Sequence, residues 1–294
     1  MTEHETYKTY ELSNGKYRAL CLDRFPKQLA GRWLSDPLGI PSAYRSRQDP
    51  EASAVPLPLS EDGMDLFVKH HRRNVFKSFA ECLARRSSPA RRGFRVGLVL
   101  ESTDVDAARP VACLERLVPG ESFLILKHVD GLTLRDYLIT TLPSMADPTQ
   151  RGEFKGNLWK ALGVAVARLH SANVRQRDLK APNIMIREGA MIRKQGGSPQ
   201  VIFVDLEGMQ LLRSTPRRHL RVRDLARLAV SLRTPEMRAA GLEPGDWETV
   251  VREYLEACGT TRPEERDVVR WVKTTLAWAT KREAHNRRRG RQSM

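Results

Sequence analysis

The sequence predicts an α+β fold with a small β-rich N-terminal part and a mainly helical C-terminal part. Short apolar runs at residues 122–128 and 201–204 have the length and composition of buried strands. Apolar residues recur at helical spacing through residues 154–169, which predicts a long amphipathic helix. The chain has 294 residues, enough for one bilobal domain or two small ones.

The composition is that of a basic globular protein with anionic partners. The chain is 40% hydrophobic and 29% charged, and its net charge is +15. Such a charge predicts a phosphorylated glycolipid, an acidic membrane surface or nucleic acid as partner. Aromatic residues make up only 6% of the chain and no zinc-ligand spacing occurs, so we expect no nucleic acid partner.

Cysteine usage and hydropathy indicate a cytoplasmic protein. The four cysteines are scattered without metal-ligand spacing and are expected to be reduced, buried thiols. The chain contains no apolar run of the ~20 residues that a membrane span requires. The first residues are polar and acidic, unlike a signal peptide. We therefore expect at most a peripheral contact with an acidic membrane surface.

The most informative pattern is residues 177–183, Arg-Asp-Leu-Lys-Ala-Pro-Asn, followed by Asp205-Leu206-Glu207-Gly208. A phosphoryl-transfer site needs a carboxylate for the attacking hydroxyl, a cation for the γ-phosphate and oxygen ligands for magnesium. Asp178, Lys180, Asn183 and Asp205 are these types in this order. The apolar run 184–186 follows Asn183, and the strand 201–204 precedes Asp205. The pattern predicts a small hairpin that carries both metal ligands, with ATP and Mg²⁺ as cofactors, in a bilobal protein-kinase-like fold.

Residues 1–128 are the predicted N-lobe, with an irregular extension over residues 1–60. Lys69 lies in an apolar strand at residues 64–71, the expected third strand, where it would bind the α- and β-phosphates of ATP. No GxGxxG precedes it, so the phosphate-covering loop is expected to be irregular, around residues 42–48.

The second half of the predicted N-lobe should hold two helices and the hinge. Residues 75–86 and 88–101 read as helices, and the second is the expected C-helix. The glutamate partner of Lys69 is not evident, because the expected position falls near Gly93 or Phe94; Glu81 and Glu101 are the available substitutes. The strand 122–128 should end at the hinge. Lys127 and His128 lie there and are expected to bind the ATP cofactor together with Lys69.

Residues 129–284 are the predicted C-lobe, and residues 285–294 a mobile basic tail. Thr133 is a predicted helix N-cap. Residues 142–152 are predicted to be a loop because they contain two prolines and a glycine. Residues 213–220 form a short connection in place of a long activation segment, and closing helices are expected at 247–258 and 264–283.

Asp224 lies at the predicted start of the helix after that connection. Two interpretations are open. The carboxylate could brace the catalytic loop by accepting its main-chain N–H groups, or it could simply be an acidic residue favoured near a helix N-terminus.

With these motifs, the chain resembles the lipopolysaccharide core kinases, the Kdo and heptose kinases of the Kdo/WaaP type, which have a protein-kinase-like fold. The likeness covers about residues 60–280. It is carried by residues 65–69, 88–95, 108–112 and 167–174, the catalytic loop, Asp205 and residues 223–228. The resemblance implies phosphorylation of a sugar hydroxyl in the lipopolysaccharide inner core, on an anionic glycolipid at the cytoplasmic face of the bacterial inner membrane.

The resemblance also implies a role for each motif residue. Asp178 would be the catalytic base, and Asn183 and Asp205 would hold magnesium. Lys69 would hold the ATP phosphates, and Lys180 would neutralise the transferring phosphoryl group.

Two positions of the catalytic region depart from the usual pattern. Gln176 stands where many kinases have a structural histidine, and we expect it to form hydrogen bonds in that position. Leu206 and Glu207 replace the usual phenylalanine, which suits an enzyme without a conformational switch.

Two alternatives remain at this stage. A protein Ser/Thr kinase-like enzyme is favoured by Lys180, but the short activation segment and the lack of Ala-Pro-Glu argue against it. A pseudokinase or scaffold is the other alternative. The presence of Asp178, Asn183 and Asp205 argues against it.

Overall fold

The computed structural model describes residues 8–37, 52–56, 65–72, 87–116, 121–187, 198–239, 243–259 and 263–288. The chain forms two compact units. The first comprises Met1–Thr103 and Ala107–Val129, and the second comprises Asp104–Asp106 and Asp130–Met294. The first unit is rich in strands and the second in helices, which confirms the predicted α+β fold.

The first unit is built on an antiparallel sheet. Its described strands are β1 (Thr9–Ser13), β2 (Tyr17–Leu22), β3 (Ala52–Pro56), β4 (Asp65–Arg72), β5 (Pro110–Arg116) and β6 (Glu121–Lys127). They lie in the order β1-β2-β5-β6-β4-β3. Among the described residues, two helices contact this sheet, α1 (Lys27–Ser35) and α2 (Pro89–Glu101).

Helix α1 covers one face of the sheet. Its buried residues share a core cluster with Leu66 and Val68 of β4 and with Phe123 and Ile125 of β6. Lys69 pairs with Leu124 across the sheet, so both side chains lie on the opposite face. Helix α2 contacts β5 and β6, and none of its buried residues belongs to the α1 cluster. Lys69 is therefore on the face away from α1.

The N-terminal predictions have mixed outcomes. The lysine strand is confirmed, but it is the fourth strand in chain order rather than the third, because β1 and β2 form an earlier hairpin. The helix predicted at 88–101 is confirmed as α2, and the Ser88 side chain caps it by accepting a hydrogen bond from the Arg91 main-chain N–H at 3.0 Å. The predicted helix 75–86, with Glu81, and the predicted loop 42–48 lie outside the described residues.

The second unit contains short strands and long helices. The strands are β7 (Leu132–Thr133), β8 (Val174–Gln176), β9 (Ile184–Arg187), β10 (Gln200–Phe203) and β11 (Met209–Leu211). Its described α-helices of five or more residues are α3 (Pro148–Ser171), α4 (Arg218–Ser231), α5 (Pro235–Ala239), α6 (Pro244–Ala257) and α7 (Glu265–Arg288). β9 and β10 form the predicted antiparallel hairpin.

The predicted loop 142–152 is wrong. A π-helix at Tyr137–Thr141 continues into an α-helical turn at Leu142–Ser144, and α3 begins at Pro148. Proline is compatible with the first turn of a helix, where its missing N–H has no intrahelical partner. The Asp147 side chain caps α3 by accepting a hydrogen bond from the Thr149 main-chain N–H at 2.8 Å.

The helices of the second unit pack in two pairs, α3 with α6 and α4 with α7. Thr133 caps the helical turn that follows it, as predicted, by accepting a hydrogen bond from the Asp136 main-chain N–H at 3.0 Å. Helix α7 continues to Arg288, so the predicted basic tail 285–294 begins inside a helix. None of the helices in the described ranges combines the length and the apolarity needed to span a bilayer.

Candidate active site

The catalytic loop begins where β8 ends. Met209 of β11 pairs with Gln176 of β8, and the Arg177 main-chain N–H donates to the Gly208 carbonyl at 3.1 Å. This pairing places the segment after Asp205 directly beside the segment that leads into Asp178.

Asp178 and Lys180 form the open part of the site. The Lys180 Nζ lies 3.0 Å from the Asp178 Oδ2, and the two side chains are 38% and 48% exposed. An ion pair this accessible adds little to folding stability. Its carboxylate and ammonium groups are within reach of a ligand.

Asn183 connects Asp178 to Asp205. Its Nδ2 donates to the Asp178 carbonyl at 2.9 Å and to the Asp205 Oδ2 at 3.3 Å. The Val204 main-chain N–H donates to the Asn183 carbonyl at 3.2 Å, which ties the two ends of the hairpin together. The structure thus brings Asp178, Lys180, Asn183 and Asp205 into one constellation.

Gln176 forms hydrogen bonds to both segments, the one that contains Asp205 and the one that leads into Asp178. Its Nε2 donates to the Asp205 carbonyl at 2.7 Å, and its Oε1 accepts from the Asp178 main-chain N–H at 3.1 Å. The residue is 1% exposed. The prediction that glutamine makes hydrogen bonds in place of the usual histidine is confirmed.

Gly208 allows this close arrangement. A Cβ added at Gly208 would overlap the Asp205 Oδ2 and lie 2.6 Å from the Gln176 Oε1. A side chain at this position would therefore displace the carboxylate or the glutamine that holds it.

The bracing of the catalytic loop differs in detail from the prediction. Asp224 is fully buried, and it accepts hydrogen bonds from the Arg175 Nε at 3.2 Å and Nη2 at 2.7 Å, rather than from main-chain N–H groups. It lies seven residues into α4, so the alternative of a helix N-terminal charge is also wrong. The main-chain N–H of Ala181 in the catalytic loop donates instead to the Ser231 Oγ at 2.9 Å.

Arg175 and Ser231 were not predicted from the sequence. In the structure, Arg175 lies in a three-residue strand whose residues are all buried, and no local pattern of the sequence shows this burial. An arginine there requires a buried carboxylate. Ser231 carries no signal in sequence, because its partner is a main-chain group 50 residues away.

His170 lies behind this brace. Its Nδ1 is 2.9 Å from the Tyr254 Oη, and its Nε2 is 3.7 Å from the Asp224 Oδ2. Burial lowers the pKa of His170, and Asp224, which acts to raise it, does not reverse the shift. The imidazole is therefore neutral at pH 7.

The predicted nucleotide-binding residues belong to the first unit. Lys69 is half-buried in β4, Lys127 ends β6, and His128 is exposed just beyond it. The Lys127 main-chain N–H donates to the Arg109 carbonyl at 2.8 Å. Of the substitutes considered for the C-helix glutamate, Glu101 forms an ion pair with Arg24 at 3.1 Å.

The Asn183–Asp205 pair has the donor types that magnesium requires. Mg²⁺ binds hard oxygen ligands, and it usually takes one or two protein carboxylates together with phosphate oxygens and water. Within the described ranges, no group of three or more His, Cys, Asp or Glu side chains could hold a metal ion by itself. The Asp205 carboxylate and the Asn183 amide oxygen fit an ion that shares its remaining ligands with a nucleotide. The hydrogen bond from the Asn183 Nδ2 to the Asp205 Oδ2, at 3.3 Å, keeps the two side chains adjacent.

The fold of the chain resembles that of known proteins. Among the many solved structures that resemble the chain is one described as WaaP in complex with acyl carrier protein. It matches with a TM-score of 0.58 and 20% sequence identity, covering 89% of this chain and 97% of that one. This likeness shows the fold. No curated protein matches the sequence.

A family model gives the assignment. The model described as "Lipopolysaccharide kinase (Kdo/WaaP) family" matches residues 58–254, which is more than half of the chain and includes the constellation around Asp178. The resemblance noted in the sequence is confirmed. The chain belongs to the lipopolysaccharide kinase (Kdo/WaaP) family.

Proposed function

We propose that this lipopolysaccharide kinase transfers the γ-phosphate of ATP to a sugar hydroxyl of the inner core, on Kdo or heptose. The observation that carries the proposal is the constellation of Asp178, Lys180, Asn183 and Asp205, joined by contacts of 3.0, 2.9 and 3.3 Å. These are the groups that phosphoryl transfer from a nucleotide to an alcohol requires.

Each group has one role in the proposed reaction. The acceptor hydroxyl oxygen attacks the γ-phosphorus, the bond from that phosphorus to the β–γ bridging oxygen breaks, and ADP leaves. Asp178 orients the hydroxyl and takes its proton. Lys180, within 3.0 Å of that carboxylate, neutralises charge on the transferring phosphoryl group.

Asn183 and Asp205 would hold magnesium when the nucleotide is bound. The ion would neutralise charge on the nucleotide phosphates. The hydrogen bond from Gln176 to the Asp205 carbonyl keeps that residue in place before the ion arrives. Lys69, Lys127 and His128 are proposed to bind ATP, with Lys69 on the phosphates and the other two at the adenine, and we propose that the two compact units correspond to the two lobes of a kinase.

The proposed acceptor is an anionic glycolipid. The net charge of +15 supports an acceptor that carries phosphates and carboxylates. We further propose that the protein works at the cytoplasmic face of the inner membrane through a peripheral contact. Acyl carrier protein, the partner in the solved WaaP structure, is also proposed as a partner of this chain. Retention of the protein on immobilised acyl carrier protein would support that partner, and passage without retention would contradict it.

The acceptor is tested by transfer of labelled phosphate from ATP to purified core glycolipid in the presence of Mg²⁺. The proposal predicts label in the glycolipid and none without the metal. Label found on the protein itself, with none in the glycolipid, would instead favour the protein-kinase alternative. No label on either would favour a pseudokinase.

A further inference from the structure

Trp278 is an exposed aromatic residue on α7. Helix α7 packs against the protein through buried residues that recur along one seam of the helix. They are Val268, Trp271, Thr275 and Ala279. Trp278 follows Trp271 by seven residues, which places it at the edge of this seam, and it is 43% exposed. The guanidinium carbon of Arg223, on α4, is 5.4 Å from the centre of its ring. The indole therefore joins the exposed surfaces of the two helices rather than filling the core.

The surface around Trp278 carries an excess of positive charge. Helix α4 contains four arginines, Arg218, Arg221, Arg223 and Arg227, and its one acidic residue is Asp224. Asp224 is fully buried and is bonded to Arg175 and Arg227, so it does not neutralise the surface. The acidic residue of α7 beyond Trp271 is Glu283, which pairs with Arg233 at 3.6 Å. The same part of α7 carries several lysines and arginines, which are Lys273, Lys281, Arg282, Arg287 and Arg288.

The arginines of the two helices are crowded. Burial lowers the pKa of the Arg227 guanidinium, and the neighbouring charges of Arg282, Arg175 and Arg223 lower it further against the effect of Asp224. Cations from α4 and α7 thus lie close enough to repel one another. An anion bound beside them would relieve that repulsion.

The combination of an exposed indole and crowded arginines identifies a class of partner. Guanidinium groups match phosphate oxygens with two parallel donors. Tryptophan favours the boundary between the apolar and polar regions of a bilayer. Basic helices with an exposed tryptophan bind anionic lipid surfaces by combining both effects. A surface for single-stranded nucleic acid would instead need several aromatic platforms for successive bases.

We infer that the α4–α7 face, made by Arg223, Trp278, Lys281 and Arg282, docks on the anionic phospholipid headgroups of a membrane. This inference rests on the proposed function, since an enzyme that acts on a glycolipid acceptor has to meet the surface of the membrane that holds the lipid. It names the contact surface that the proposed function leaves open.

The α4–α7 face is connected to the catalytic loop through a short chain of ion pairs. Arg227 binds Asp224 at 2.9 Å, and Asp224 binds Arg175 at 2.7 Å. Arg175 precedes Gln176, which holds Asp178 and Asp205. A membrane bound to this face would therefore hold the catalytic loop at a defined position relative to the lipid surface.

The test is sedimentation of the full-length protein with vesicles, without nucleotide or acceptor. Vesicles of phosphatidylcholine with phosphatidylglycerol are compared with vesicles of phosphatidylcholine alone, at low and high salt. The double variant Arg223→Gln/Arg282→Gln should bind the anionic vesicles about 30-fold more weakly at low salt. Trp278→Ala should weaken binding several-fold, and the part of the vesicle binding that persists at high salt should be smaller.

The matched control is Lys160→Gln/Arg168→Gln, which removes the same charge from two exposed positions on α3 of the same unit. It should bind the anionic vesicles within about twofold of the unchanged protein, as expected for a local electrostatic effect. Equal losses in both double variants would contradict a specific face, and so would unchanged binding in Arg223→Gln/Arg282→Gln. Unchanged vesicle binding with lost retention on acyl carrier protein would also overturn the inference and assign the face to a protein partner.

The outcome is independent of the transfer reaction. Because the sedimentation contains no ATP, binding to anionic vesicles without phosphate transfer to glycolipid would contradict only the proposed reaction. Phosphate transfer together with unchanged vesicle binding by the α4–α7 variants would contradict only the docking face. A thermal melt of each variant confirms that it is folded.

Discussion

Gln176 determines the geometry of the candidate site more directly than any exposed residue does. It is almost completely buried, and its amide makes one bond to each half of the site, at 2.7 Å to the Asp205 carbonyl and 3.1 Å from the Asp178 N–H. Glutamine supplies a donor and an acceptor at once, without a proton that titrates near pH 7.

Replacing Gln176 with leucine should damage both stability and turnover. Two part-buried main-chain groups would lose their partner, at a cost of up to about 1–3 kcal/mol for each. We expect a lower melting temperature and a fall in kcat larger than any rise in KM, because the positions of Asp178 and Asp205 are loosened. Gln176→His, which keeps a donor, should recover part of kcat. A leucine variant with unchanged kcat would contradict this positioning role.

His170 should make the protein less stable in mild acid. Its pKa is lowered in the folded state by burial, while in the unfolded chain it is about 6.5. As the pH falls below that value, the unfolded chain takes up a proton that the folded protein does not, so the free energy of unfolding decreases. The groups around the ring are Tyr254, Asp224, Arg221 and Arg175.

The measurement is the melting temperature between about pH 7.5 and pH 5.5, where this linkage acts. The unchanged protein should lose stability across this range, and His170→Gln should lose less. Parallel curves for the two proteins would show that His170 does not contribute to the acid sensitivity.

The pairing of α3 with α6 depends on one glycine. A Cβ at Gly163 would lie 2.5 Å from the Val250 carbonyl oxygen and 2.9 Å from the Glu253 Cβ. The nearest atom belongs to main chain, which cannot move aside like a flexible side chain, so α3 and α6 would have to separate.

Gly163→Ala should therefore lower the free energy of unfolding by about 1–3 kcal/mol, the usual cost of overpacking. Gly156→Ala on the same helix is the matched control, because a Cβ there meets nothing within 4 Å. It should raise stability by about 0.5–1 kcal/mol through the better helix propensity of alanine. Denaturant unfolding of both variants gives the comparison, and equal effects would contradict the packing argument.

Local pattern predicted the elements that carry the chemistry. The helical period of α3, the two apolar strands of the hairpin and the cap at Thr133 are all properties of short segments, and each was found where the pattern placed it. The prediction of a loop at 142–152 was wrong because proline, which disrupts the interior of a helix, is also favoured in the first turn of one.

Contacts between residues that are far apart in the chain could not be predicted from the sequence. The bond from Arg175 to Asp224 spans 49 residues, and the bond from Ala181 to Ser231 spans 50. Neither follows from a periodicity or a motif, because only the packing of α4 beside β8 brings the partners together. The α4–α7 face around Trp278 has the same origin.

The protein as a whole comprises a strand-rich unit that contains Lys69 and a helical unit that contains the four clustered site residues. Asp205→Ala tests the metal site proposed for the helical unit. We expect ATP affinity in the presence of Mg²⁺ to fall by tenfold or more, on the order of one charged hydrogen-bonding contact, while weak metal-free binding persists. Calorimetric titration with and without Mg²⁺ measures this, and unchanged magnesium dependence would overturn the assignment of Asp205 as a ligand.

The proposed reaction depends on Asp178 taking the proton from a sugar hydroxyl. The kcat of Asp178→Asn for phosphate transfer to core glycolipid, measured alongside its affinity for ATP, tests this role. We expect kcat to fall by about 10²–10⁴-fold, the usual worth of a general base, with ATP affinity nearly unchanged. Retained turnover with lost ATP affinity would contradict the claim, because it would make Asp178 a nucleotide-binding residue rather than the base.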